Sequence, residues 1–156
     1  MLKKLMLPLL VLVLTIPMIA GCGDSGAIKI GLEGPMTGDY AYEGQGFEKA
    51  VSMLVEQTNE AGGLLGREIE LIVEDDAGDP TQAALVAQRL VDAGVVAVIG
   101  AYNSTATEPA SEIYNDAGIL HVTPSSTATR LTEKGFERFF RVCFLDDRQG
   151  LFAATF

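Results

Sequence analysis

Val95-Val-Ala-Val-Ile-Gly-Ala-Tyr-Asn-Ser-Thr-Ala-Thr-Glu-Pro109 is the stretch on which the reading of the whole chain turns. An unbroken apolar run from Val95 to Ile99, closed by Gly100, predicts a buried parallel strand, and the Ser/Thr-rich turn ahead of Pro109 predicts the start of a helix. A strand feeding a helix N-terminus presents amide N–H groups without intrahelical partners, and the hydroxyls of Ser104, Thr105 and Thr107 stand beside them. That combination suits an anion such as a carboxylate. The same residues also suit an ordinary capped helix, because Ser and Thr are common caps. The neighbouring stretches decide between the two.

Upstream, Ala27-Ile-Lys-Ile-Gly-Leu-Glu33 predicts a first strand, and Gly34-Pro-Met-Thr-Gly38 the loop at its carboxyl end. A helix follows from about Gly44 to Asn59, with Phe47, Val51, Leu54 and Val55 on its inward face, and Asn59-Glu-Ala-Gly-Gly63 stops it. Glu68 to Glu74 is a second strand, alternating enough to lie near a sheet edge. Asp75-Asp-Ala-Gly-Asp-Pro80 then turns the chain, with Asp79 as N-cap and Pro80 at the first helical position. The helix it opens runs to about Ala93, with Ala84, Leu85, Ala87, Leu90 and Val91 as its buried stripe, and Gly94 ends it. Downstream, the helix begun at the Ser104 turn continues to Gly118. Ile119 to Thr123 is a fourth strand, closed by Pro124-Ser-Ser-Thr127, and Phe139 to Phe144 a fifth.

Strands alternating with helices imply an α/β fold with right-handed crossovers and a parallel, doubly wound sheet. In such a sheet the carboxyl ends of the strands and the N-termini of the following helices share one edge, and ligands bind there at the switch in strand order. Ser104, Thr105 and Thr107 are therefore expected to meet Ser125, Ser126 and Thr127 at one crevice.

Of the 156 residues, 48% are hydrophobic and 17 are glycine, as suits many strand-to-helix turns. The formal net charge is −10, and loss of Lys3 and Lys4 with a leader would make it more negative still. An acidic surface of this kind argues against nucleic acid as a partner. Residues 1–21 resemble a bacterial lipoprotein signal: Lys3 and Lys4, an apolar core from Leu5 to Ala20, and Ile19-Ala-Gly-Cys22. Cys22 is then the acylated residue and the new N-terminus, and residues 22–26 are a polar tether. An uncleaved anchor or a simple secretory signal is the alternative. The body is expected in the cell envelope, outside the cytoplasm and held to the bilayer through lipid on Cys22. Cys143, the second of two cysteines, is expected to be a buried thiol in the fifth strand.

Other chemistry finds little support. Asp75, Asp76 and Asp79 lack the alternating acids and closing glutamate of a calcium loop and suit a turn plus cap. Gly44-Gln-Gly46 lacks a third glycine, and no Walker-type Gly-Lys-Ser/Thr is present, so no nucleotide cofactor is expected. His121, the single histidine, lies inside a strand with no second ligand nearby in sequence, so no metal is expected. No Gly-x-Ser-x-Gly elbow surrounds Ser125 or Ser126, and the chain carries no positive sign of an enzyme. Arg141 is either a ligand clamp or a structural partner of Asp146 or Asp147, with the structural role favoured.

The motifs in order are Gly-Pro-Met-Thr-Gly, Asn-Glu-Ala-Gly-Gly-Leu-Leu-Gly-Arg, Glu-Asp-Asp-Ala-Gly-Asp-Pro, Val-Ile-Gly-Ala-Tyr-Asn-Ser, Thr-Pro-Ser-Ser-Thr and Phe-Arg-Val-Cys-Phe-Leu-Asp-Asp-Arg-Gln-Gly. From about Ile28 onward this resembles the Leu/Ile/Val-binding protein family, the type I periplasmic substrate-binding proteins of ABC importers. The resemblance implies two α/β lobes that close on a ligand. Residues 27–156 would be an incomplete first lobe, since Leu151 to Phe156 carries no helix stop signal. It further implies that Ser104 and the Pro124-Ser125-Ser126-Thr127 turn hold the carboxylate and amine of an amino acid, with Tyr42 and Glu43 near its side chain. Some members join the turns that hold Gly78 and Asn103 here by a disulfide, which this sequence cannot form. The function implied is capture of a branched-chain or similar amino acid for an ABC permease. The alternatives are a sensory module of the same fold, a binder of amides or urea-like molecules, and an envelope hydrolase.

Overall fold

The computed structural model describes residues 26–156; the leader, Cys22 and most of the tether lie outside the described residues. In chain order the elements are β1 (Ile28–Gly34), α1 (Ala41–Glu60), β2 (Ile69–Asp75), α2 (Pro80–Asp92), β3 (Ala97–Ile99), α3 (Ser104–Asp116), β4 (Leu120–Thr123), α4 (Arg130–Glu133), β5 (Phe139–Arg141) and α5 (Asp146–Ala154). The strands form one five-stranded sheet in the order β2-β1-β3-β4-β5. Every neighbouring pair is parallel. The expected doubly wound sheet is therefore present, and the strand order reverses between β1 and β3. That reversal opens a crevice at the carboxyl edge.

On one face of the sheet, α2 and α3 enclose the main core. Val86, Ala87 and Leu90 of α2 pack with Val98 of β3, Ala110 and Tyr114 of α3, and Val95 and Ile119. Leu90 presses so closely on β1 that a Cβ on Gly31 would lie 3.0 Å from its Cδ1. Asp79 caps α2 as expected, accepting from the amides of Thr81 and Gln82 with Pro80 in the first turn. The buried stripe differs from the sequence expectation. It is Ala83, Val86, Ala87 and Leu90, whereas Leu85 is 52% exposed and Ala84 and Val91 are half-buried. The observed spacing of three, four and seven is the one that lies along a single helix face, and small Ala83 belongs to it.

On the other face, α1 packs on β1 and β2, and its only buried residue is Gly44. Phe47, Val51 and Val55 are half-buried, and Leu54 is 58% exposed. With Ile30, Ile69 and Ile99 of the sheet, Val51, Leu54 and Val55 line a shallow apolar hollow.

The fifth strand is shorter than predicted. β4 ends at Thr123, so after the Val142 amide donates to the Thr123 carbonyl the ladder has no further partner. Cys143 therefore sits in a bend, half-buried rather than buried, with its thiol 3.4 Å from the Ser126 carbonyl oxygen. Burial pushes that thiol up from its ordinary pKa. Arg141 is structural, but its partners are not Asp146 or Asp147. Its Nη1 donates to the carbonyls of Ser126 and Ala128, and Nη2 to the Thr132 hydroxyl.

Candidate functional site

The first wall of the crevice is the β3–α3 turn. Its N-cap is Asn103, in extended conformation, whose Oδ1 accepts from the Ala106 amide at 2.8 Å and the Thr105 hydroxyl at 2.7 Å. With the cap supplied there, the Ser104 and Thr105 amides, at the first two helical positions, have no acceptor within the helix and face outward as donors. Ser104 Oγ accepts from the Ala128 amide at 3.1 Å, which leaves its own O–H proton available. Asn103 also donates from Nδ2 to the Gly78 carbonyl at 3.0 Å. This bond links the two turns for which the family resemblance implied a disulfide in other members.

The second wall is the β4–α4 turn, and here the three hydroxyls part ways. Ser125 Oγ donates to the Tyr102 carbonyl at 2.6 Å. Ser126 is buried, and its hydroxyl is engaged with Thr107 Oγ1 at 2.7 Å. Thr127 is half-buried; its carbonyl accepts from the Asp146 amide, and its hydroxyl has no partner among the described residues. The sequence-predicted hydroxyls of the two turns are thus brought together by direct bonds. Ser104 and Thr127 retain open hydrogen-bonding capacity, while Thr107, Ser125 and Ser126 hold the turns against one another.

Tyr42 lies apart from this group. It is 89% exposed and borders a hollow on α1 with Glu43, Gln45 and Phe47. The aromatic residues that flank the β3–α3 turn are others: the Tyr40 and Tyr102 rings lie 5.3 Å apart, and Phe47 and Tyr102 6.0 Å apart. Sequence reasoning missed this cluster, although Tyr40 and Tyr102 each fall in a loop at a strand's carboxyl end, which was an available signal.

Asp75 braces the third loop. Its Oδ1 accepts from the amides of Met36 and Ala77, and Oδ2 from the Thr37 hydroxyl at 2.6 Å, so the β1–α1 loop is tied to the β2–α2 turn. Burial would raise the Asp75 pKa, but these bonds, led by Thr37, hold it below the usual value. Beneath the crevice, His121 Nε2 lies 2.7 Å from the Gly100 carbonyl, and its ring meets Tyr114 and Phe139 edge-on. Burial lowers its pKa to about 4, against the opposing pull of the Gly100 bond, so the imidazole is neutral. Among the described residues no group of side chains is arranged to hold a metal.

The periplasmic binding protein family model matches residues 27–155. The chain belongs to that family. A leucine-, isoleucine-, valine-, threonine- and alanine-binding protein of Pseudomonas aeruginosa is 44% identical over 83% of this chain. Among solved structures, the Streptococcus pneumoniae LivJ substrate-binding protein in complex with isoleucine superposes with a TM-score of 0.74 at 35% identity, covering 77% of this chain and 34% of that one. A leucine-binding protein LivK from Thermotoga maritima superposes with a TM-score of 0.76 at 33% identity, over 83% of this chain and 36% of that one. The chain spans 35% of the length of the Pseudomonas relative. As a periplasmic binding protein it has the type I sheet topology, and its relatives are substrate-binding proteins rather than enzymes. The site offers hydrogen-bond donors and an aromatic flank. Among the described residues no helix is long and apolar enough to cross a membrane.

Proposed function

We propose that the protein is an extracytoplasmic receptor that captures a branched-chain or similar amino acid for an ABC importer, anchored to the membrane through acylated Cys22. The observation that carries the reading is the meeting of the β3–α3 and β4–α4 turns beside the strand-order reversal, with Ser104 and Thr105 amides that lack intrahelical acceptors and open hydroxyls on Ser104 and Thr127. A ligand carboxylate there accepts hydrogen bonds at the positive end of α3. The open Thr127 hydroxyl of the second turn is suited to accept from a ligand ammonium, and the Tyr40–Tyr102–Phe47 cluster to pack on an aliphatic side chain. The relatives bind leucine and isoleucine, which matches this division of polar and apolar surface.

The test is calorimetric titration of the complete protein with leucine, isoleucine and valine. A charge-assisted contact contributes about 1.5–3 kcal/mol, so Ser104→Ala and Thr127→Ala should each weaken binding about ten- to a hundredfold without a large change in melting temperature. Unchanged affinity in both removes these turns from the site. Separately, Cys22→Ser should abolish membrane partitioning and palmitate incorporation; persistence of both would sink the anchor.

A further inference from the structure

Glu33 is fully buried near the end of β1, although nothing in the ligand site calls for a carboxyl group there. Its Oε2 accepts from the Tyr114 hydroxyl of α3 at 2.7 Å, and its Oε1 has no partner among the described residues. In the parallel register Glu33 pairs with Glu74, and residues that pair share a face, so Glu33, Glu74 and, two residues on, Asp76 all point to the α2–α3 side. Asp76 is also fully buried. Its Oδ1 accepts from the Gly78 amide at 2.7 Å, while its Oδ2 has no partner among the described residues. Two buried carboxyl groups, each with an orphan oxygen, thus occupy adjoining strand ends.

Among the described residues the surroundings supply no counter-charge. On α2, Arg89 is committed to Glu74 at 2.6 Å; on α3, the neighbouring group is the neutral Tyr114 phenol; on β4, His121 is buried and neutral, with its own Nδ1 unpartnered. Asp79 at the α2 N-cap and Asp75 add negative charge near Asp76. Lys29 lies at the opposite end of β1, bonded to the Ala93 carbonyl. An unpaired ionised carboxylate in such a place is strongly disfavoured, and a proton is the one cation the site can admit without rearrangement.

We propose that Glu33 is a proton-binding site of the folded protein: its carboxyl group stays protonated at neutral pH, accepting from Tyr114 through Oε2 and carrying the proton on otherwise unpartnered Oε1. Burial raises its pKa well above the usual value and the Asp76 charge adds to this, while the Tyr114 bond opposes it. Because the folded pKa is the raised one, the stabilisation is complete below the ordinary glutamate range. It is lost as pH rises through the folded value, when the proton passes to solvent and leaves a bare charge beside Asp76. Glu33 also backs the switch point, since a Cβ on Gly100 would lie 2.1 Å from its carbonyl oxygen.

The experiment is difference infrared spectroscopy and denaturation of the complete protein across pH 5 to 9, with Glu33→Gln and Tyr114→Phe beside the wild type. We expect a protonated-carboxyl C=O band at pH 7 that is missing in Glu33→Gln, and a fall in wild-type stability towards alkaline pH that Glu33→Gln flattens. In Tyr114→Phe, which lacks the opposing bond, the band should persist to higher pH. No such band in the wild type at pH 7, or an alkaline fall identical in Glu33→Gln, overturns the proposal. If Glu33→Gln does not fold, the carboxyl carbon-13 shift of Glu33 in the wild type decides: a titration midpoint in the ordinary carboxylate range overturns it.

Discussion

The two faces of the sheet are unlike. Under α2 and α3 the apolar side chains are almost wholly buried, from Leu90 and Val98 to Tyr114, and even polar groups such as His121 and Glu33 have been taken out of water. Under α1 the same sheet offers Ile30, Ile69 and Ile99 to a hollow that Val51, Leu54 and Val55 only partly roof. A residue's hydrophobicity is similar on the two sides, but its contribution is not, because stabilisation follows the area removed from water. The difference teaches that this chain's cohesion resides mainly on one face, and that face also carries α3, whose N-terminus forms the first wall of the crevice.

The sharpest way to break the comparison is a matched pair of truncations. Leu90→Ala should cost about 2–5 kcal/mol by leaving a cavity in close-packed surroundings, whereas Leu54→Ala, already largely in water, should change stability by no more than about 0.5 kcal/mol. Equal losses in urea denaturation would show that the faces are equivalent. The next effect comes from His121. Its folded pKa of about 4 lies below the unfolded value of about 6.5, so the unfolded chain takes up a proton first as pH falls. Stability should be intact above pH 6.5 and decline towards pH 4, by about 3 kcal/mol in all. His121→Gln should remove most of that slope, and an unaltered slope would place the acid sensitivity elsewhere. The smallest effect concerns the link between the turns. Asn103→Ala removes a helix cap and the bond to Gly78, and should cost about 1–2 kcal/mol in thermal unfolding. A loss no larger than that of an exposed substitution would mean that water replaces both bonds.

Much of this architecture was legible in the sequence because it rests on local signals. The Asp79-Pro80 helix start and the strand–helix alternation depend on near neighbours and appear where expected; the run Val95 to Ile99 yields a strand only from Ala97 to Ile99, with Val96 58% exposed. Faces were harder to read. Leu85 looks as suitable for the core as Val86, and only the packing of α2 against both the sheet and α3 puts Val86 inside. Leu54 has the right spacing to be buried, yet no described element covers it. At the site, composition placed hydroxyls on both turns but could not say which would be consumed internally. The Thr107–Ser126 bond spans nineteen positions, and the Asn103 cap competes with adjacent Ser and Thr residues of similar propensity. Glu33 was invisible for a related reason. A glutamate ending a strand looks solvated until the register aligns it with Glu74 and brings Tyr114 over it.

The division of labour within Pro124-Ser125-Ser126-Thr127 bears on how such a receptor diversifies. Ser125 and Ser126 tie their turn to the Tyr102 carbonyl and to Thr107, and Arg141 grips the carbonyls of Ser126 and Ala128 from behind. Thr127 bears none of that side-chain bonding. On the proposed reading, Thr127 can be exchanged to follow a different ligand while the surrounding mesh keeps its shape. A change at Ser126 would alter the mesh before it altered the preference.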